Sequence, residues 1–175
     1  MTKKSVLLAI VLIVVLSCVY AGSFSLDLQG SPYSFQYVKR GDTGYTSKYG
    51  FGFEAGINYD IGNGLSVGTI YKYCNFSYDE LSDHYQVICT FMPSLSWTRN
   101  FNGRWSALTQ LAVGVEARII GDVKDAFFGL NQYVGVGYDL SEKVTLTAGL
   151  EVGLCIQNGS WDLSSDIMLG ARLGL

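Results

Sequence analysis

Between Val144 and Ile156 the chain alternates without a break. Val144, Leu146, Ala148, Leu150, Val152, Leu154 and Ile156 are apolar, and Thr145, Thr147, Gly149, Glu151, Gly153 and Cys155 fall between them. A period of two sends successive side chains to opposite faces of a β-strand, whereas a helix would scatter the same set around its circumference. Glu151 sharpens the constraint, because an isolated ionised carboxylate in apolar surroundings is strongly disfavoured unless it is paired or solvated. One face of this strand must therefore offer water or polar partners while the other meets an apolar medium.

The whole chain is suited to strands of this kind. Its 175 residues have room for one domain, 49% hydrophobic content excludes a disordered polar chain, and 21 glycines against 2 prolines suit closely packed turning strands better than helices. The N-terminus has the pattern of an export signal: Lys3 and Lys4, an apolar core from Val6 to Leu16, and Val19-Tyr20-Ala21 as a small-residue cleavage site. Residues 1–21 are thus expected to be a signal peptide and residues 22–175 the folded domain. The apolar run is short for a membrane-spanning anchor, and Val15-Leu16-Ser17-Cys18 offers lipidation at Cys18 as an alternative. Removal of Lys3 and Lys4 leaves ten basic residues against fifteen acidic ones, a balance that argues against a nucleic-acid partner. Cys74, Cys89 and Cys155 lack the spacing of a zinc site or redox pair, and one histidine is too few for a metal centre. No metal or other cofactor is expected.

Eight alternating stretches can be read in residues 22–175. They are Ser23 to Gln29, Tyr49 to Ile61, Leu65 to Tyr78, Tyr85 to Trp97, Trp105 to Arg118, Phe127 to Leu140, Val144 to Ile156 and Leu163 to Leu175. Gly62-Asn63-Gly64 and Ser141-Glu142-Lys143 are tight-turn signals between them. Two positions fit poorly: Pro93 should interrupt a ladder and mark a bulge, and Gln132 falls on the apolar face, which suggests a bulge or register shift in the sixth strand.

Eight strands can close around an apolar interior, as in soluble ligand-binding barrels, or stand in a membrane with the apolar face outward. Two features favour the second. On the apolar face aromatics gather toward the strand ends, Tyr59, Trp97, Trp105 and Tyr138 at one rim and Phe51, Tyr73, Tyr85 and Phe128 toward the other, as in an interfacial girdle. The opposite face is mostly glycine, serine and threonine with isolated charges of both signs: Glu54, Lys72, Glu116, Arg118, Glu151, Asp166 and Arg172. A water-facing surface would carry more lysine and glutamate, so this set is expected to form a charged lumen. If the glycine turn sets Ile61 opposite Leu65, Glu54 falls opposite Lys72 as a cross-strand ion pair. By parity Cys74 and Cys155 point inward and Cys89 outward.

With its export signal, eight alternating segments, turn pattern and apolar C-terminal strand, the chain resembles the small eight-stranded outer-membrane barrels of Gram-negative-type bacteria, the group of OmpA transmembrane domains, OmpX-like proteins and opacity-type adhesins. The resemblance spans residues 22–175 and is architectural. It implies an all-β, antiparallel up-and-down transmembrane barrel with both termini on the periplasmic side, surrounded by outer-membrane lipid and inserted by the outer-membrane assembly machinery. Such barrels usually end in an aromatic residue, and this chain ends in Leu175.

On that topology residues 30–48, 79–84, 119–125 and 157–162 are external connections. The first, the longest, carries Arg40-Gly41-Asp42 among Tyr33, Phe35, Tyr37 and Tyr45. The tripeptide resembles an integrin-recognition motif and is a candidate adhesion site for a host surface receptor, although Gly41 and Asp42 are also ordinary turn residues. Some eight-stranded barrels modify lipid A, but His84 is the only histidine and Ser82 precedes it, whereas the deacylase pattern has serine two residues beyond the histidine. The expected function is therefore a non-enzymatic outer-membrane barrel for envelope structure and surface interaction, with at most weak small-solute or ion passage. A soluble periplasmic barrel holding an apolar ligand and a lipid A-modifying enzyme are the alternatives.

Overall fold

The computed structural model describes residues 24–40, 42–78, 85–120, 123–157 and 160–175. The signal peptide, Cys18, Gly41 and the segment holding Ser82 and His84 lie outside the described residues, as do the side chains of Arg40, Tyr85, Cys89 and Arg118. Eight strands follow in chain order: β1 Phe24–Arg40, β2 Thr43–Gly62, β3 Leu65–Tyr78, β4 Tyr85–Asn102, β5 Trp105–Ile120, β6 Val123–Ser141, β7 Val144–Gln157 and β8 Ser160–Gly174. Each pairs antiparallel with its chain neighbours, and β8 pairs with β1 to close the barrel.

The two faces are disposed as the alternation requires. Along β7, Leu146, Leu150, Val152 and Ile156 are exposed while Thr147, Glu151 and Cys155 are buried. The outer wall continues around the sheet through Phe53, Ile57, Phe91, Leu95, Val115, Val134 and Leu169. A continuous apolar surface of this extent is not tolerated by a soluble monomer, and the buried face carries Asp27, Glu54, Lys72 and Asp166. These faces are opposite to those of a soluble barrel enclosing an apolar ligand.

Several strands are longer than their apolar alternation suggests. β1 was expected to stop at Gln29 and instead runs to Arg40, and β2 begins at Thr43 rather than Tyr49. The supposed loop of residues 30–48 is therefore mostly a paired hairpin. The cause is a change of phase: Asp27, Gln29 and Ser31 point inward, then Ser34, Gln36 and Val38 do. An irregularity between Ser31 and Ser34 adds one residue to β1, and a second between Ser34 and Tyr37 adds one to β2. Likewise β6 starts at Val123 and β8 at Ser160, so most of the connections expected at 119–125 and 157–162 are strand.

Other local expectations are corrected as well. Register is unchanged on either side of Pro93, with Phe91 opposite Val115 and Ser94 opposite Ala112, so proline leaves a gap in the β5 ladder without a bulge. Gln132 sits in unbroken register opposite Leu111. Its Nε2 donates to Thr109 Oγ1 at 2.7 Å and to the Tyr133 carbonyl at 3.0 Å, which satisfies the amide locally instead of displacing the strand. At the glycine turn Gly62, not Ile61, stands opposite Leu65, and positive φ at Gly62, Asn63 and Gly64 closes the connection. The shift lies beyond Asp60, so Glu54 still faces Lys72.

The closing seam provides a paired test. A Cβ at Gly170 would lie 2.2 Å from the Leu28 carbonyl oxygen, whereas one at Gly30 would meet nothing nearer than 4.0 Å. Refolded in detergent, residues 22–175 should migrate differently on gels before and after boiling. Gly170→Ala should reduce the fraction in the heat-sensitive form, and Gly30→Ala should leave it unchanged.

Candidate functional site

An eight-stranded barrel has an interior just wide enough for side chains to fill, and ionic groups and apolar clusters share this one. At the end bearing both termini, Arg172 of β8 makes a two-pronged contact with Asp27 of β1, Nε to Oδ1 at 2.7 Å and Nη2 to Oδ2 at 2.8 Å. Asn58 Nδ2 donates to the same carboxylate at 2.9 Å, and Arg172 Nη1 donates to Thr98 Oγ1 at 3.0 Å. Four strands are thereby tied to one ion pair. Leu108, Tyr133 and Met168 form an apolar cluster in the interior, and Ile70, Met92 and Ala112 form another.

A second ionic group spans the lumen. The Lys72 ammonium, carried by β3, bonds Glu151 on β7 and Asp166 on β8, which are themselves opposite one another in the β7–β8 ladder. All three are almost completely buried, so they compensate one another rather than solvent. The cross-strand position of Glu54 accounts for one neighbour of Lys72 and misses the two on the far wall that hold it. Glu54 Oε2 itself has no hydrogen-bond partner among the described residues. Glu116 is also buried and lines, with Cys74, Cys155 and Asp162, a space of about 10 Å³, which is at most room for one water molecule. Arg118 shares the strand parity of Glu116 and stands opposite Ile88 and Asp125. Toward the far end Val38, Cys74, Phe76 and Ile88 form a further apolar cluster.

The parity argument had omitted Asp27 and Asp162, although both alternate with outward apolar residues, Leu26 and Leu28 in one case and Trp161 and Leu163 in the other. The apolar tiers were legible in the same way, since Ile70 and Phe76 share a face with Lys72.

On the outer wall, Trp105 and Tyr138 pack edge to face with centroids 4.9 Å apart and Tyr59 lies 5.1 Å from Phe24, all near the turns of the terminal end. Trp97 is exposed beside them, whereas Phe51, Tyr73 and Phe128 lie farther along the strands. The middle is not purely aliphatic, because Tyr71 of β3 stands opposite Phe91 of β4 well inside both strands.

The β1–β2 hairpin ends with Arg40 opposite Thr43, which leaves the exposed Asp42 at the tip. Just below it Tyr37 lies over Gly44, where a Cβ would be 2.2 Å from the Tyr37 hydroxyl, and packs on Trp161 of β8 with centroids 5.4 Å apart. The tip is thus carried on an aromatic brace rather than on a loose loop.

Apolar wall, ionic lumen and closed backbone pairing define a transmembrane β-barrel. More narrowly, its fold is that of the small eight-stranded outer-membrane barrels. Neisserial surface protein A superposes with a TM-score of 0.66 at 14% identity, over 87% of this chain and 97% of that one. Ail, the attachment invasion locus protein of Yersinia pestis, does so with 0.54 at 13% identity, over 86% and 99%. The outer-membrane protease OmpT of Escherichia coli gives 0.51 at 6% identity, over 87% and 97%. No family model and no curated protein matches the sequence.

The ionic tier predicts an asymmetric response to substitution. Lys72→Met leaves Glu151 and Asp166 uncompensated and should cost roughly 3–5 kcal/mol, read as a lower urea midpoint in detergent. Gln132→Leu, which removes a locally satisfied amide from the lipid face, should change stability by less than about 1 kcal/mol.

Proposed function

We propose that this chain is an integral protein of the bacterial outer membrane, exported by a signal peptide over residues 1–21, that supports the envelope and makes surface contacts through the β1–β2 hairpin. The observation that carries the reading is the hairpin itself. Its strands continue to Arg40 and Thr43 in regular pairing, and a brace of Tyr37 on Trp161 stiffens its base. A paired, braced projection loses less conformational entropy on binding than a flexible loop does. Outer-membrane lipid covers the apolar wall, the assembly machinery inserts the barrel, and a host surface receptor is the partner for Arg40, Gly41 and Asp42. The names of two structural neighbours, a surface protein and an attachment invasion protein, point the same way.

The filled lumen argues for a structural role over transport. Apolar clusters at Ile70, Met92 and Ala112 and at Val38, Phe76 and Ile88 occupy part of the interior, and the space of about 10 Å³ beside Lys72 and Glu116 is too small for a hydrated solute. Glu54, Lys72, Glu116, Arg118, Glu151, Asp166 and Arg172 serve in this reading to hold opposite walls together. A non-enzymatic role follows from the same assignment.

Adhesion can be tested by shortening the hairpin without changing strand parity. Deletion of Lys39, Arg40, Thr43 and Gly44 removes two rungs and leaves Val38 opposite Tyr45 around the original turn residues. Bacteria displaying the parent should bind host epithelial cells, and the shortened variant should fall to the level of cells lacking the barrel. Equal binding by the two would remove the hairpin from the function, and an Asp42→Glu variant as adherent as the parent would exclude the tripeptide as the determinant. Liposomes containing the barrel should release a small sugar no faster than empty liposomes.

A further inference from the structure

The terminal end of the lumen opens into a polar vestibule of about 520 Å³ whose walls include Ser25, Asp60, Ser66, Thr98, Asn100 and Arg172. That volume is within the ordinary range for small-molecule sites. Its polar lining contrasts with the apolar tiers of the interior, of which Leu108, Tyr133 and Met168 form one. The vestibule is therefore a pit rather than the mouth of a channel.

Arg172 gives the pit its chemistry. Its guanidinium is fixed by Asp27 through Nε and Nη2 and by Thr98 through Nη1. A guanidinium has five N–H donors, and these contacts use three. The group is also 19% exposed, unlike the almost completely buried Lys72 cluster. The remaining donors belong to a planar fork whose orientation is already set, the arrangement that best receives a carboxylate. Around it the Ser25, Ser66 and Thr98 hydroxyls and the Asn100 amide supply neutral hydrogen-bonding groups, and Arg99 lines the same space as a second cation. Asp60 contributes an acid, one of whose oxygens accepts the Gly62 N–H at 2.7 Å.

We propose that this vestibule binds small carboxylates, with the carboxylate on the outward edge of Arg172 and the rest of the molecule against Ser66 and Asn100. The ionic contact to Asp27 then has two roles: it ties β1 to β8, and it holds the guanidinium still for a ligand. The site is independent of the adhesive hairpin, which lies at the opposite end of β1 and β2.

The test uses the refolded barrel in detergent micelles and two probes of equal size, N-acetyl-alanine and N-acetyl-alanine amide, followed by amide NMR shifts. The free acid should produce saturable shifts at Ser25, Ser66, Thr98 and Asn100 with a dissociation constant on the order of 1 mM, and the amide probe should not. Ser66→Phe, which fills the pit without altering Arg172, should weaken the acid by about tenfold or more, equivalent to 1.4 kcal/mol. Asn100→Phe serves the same purpose should Ser66→Phe fail to show the heat-dependent gel shift of a closed barrel. The proposal is overturned by absent or non-saturating shifts, by equal response to both probes, or by undiminished binding in a folded, filled variant.

Discussion

The seam between β1 and β8 is the constraint on which everything else depends. In hydrocarbon an unpaired backbone N–H or carbonyl has no water to turn to, so a sheet that spans a membrane must have no edge. Here the last strand returns to the first through a ladder that runs from Ser25 opposite Gly174 to Lys39 opposite Trp161, with one irregularity above Gly30. Gly170 makes the approach feasible at its tightest point, beneath the Leu28 carbonyl. Once that ring is closed, every side chain is committed either to the lipid or to a narrow lumen, and alternation along each strand decides which.

The lumen then poses a packing problem that most polar interiors avoid. Buried charge is tolerable only when compensated, and the described interior has more acids than bases. The solution is to stretch the few cations across several strands: Lys72 joins β3 to β7 and β8, and Arg172 joins β8 to β1 and β4. Apolar tiers occupy other parts of the interior, so the barrel is held by spokes as well as by its rim of hydrogen bonds. The Gln132 amide shows the same economy on the outer wall, where Thr109 and a backbone carbonyl satisfy it in place.

Much of this could be read from alternation, and the exceptions have identifiable causes. Eight strands follow from period two, and the outward apolar sets and inward direction of Glu54, Lys72, Glu151 and Asp166 follow once the aromatic girdle and the sparse charge of the polar face are added. The two partners of Lys72 on the far wall do not, because parity names a face and turn register names a neighbour, but neither carries information across the diameter. The extension of β1 and β2 was hidden for a different reason. Residues 31–38 alternate as well as any others, but the inward set passes from odd to even positions at Pro32 and Tyr33, and a period search that assumes one phase stops there. Pro93 and Gln132 mislead in the opposite sense, since local remedies in pairing and hydrogen bonding absorb both without moving the strand.

The two irregularities that hid the hairpin also delimit it. One extra residue in β1 and one in β2 separate its outer rungs from the membrane-embedded part of the same strands, so the outer rungs keep their own inside and outside. Rungs added or removed in pairs above that joint leave the embedded register untouched, while a single-residue change there would exchange the inner and outer faces of the tip alone. The hairpin is consequently a cassette: its length and surface chemistry can change while the wall below the joint keeps its register.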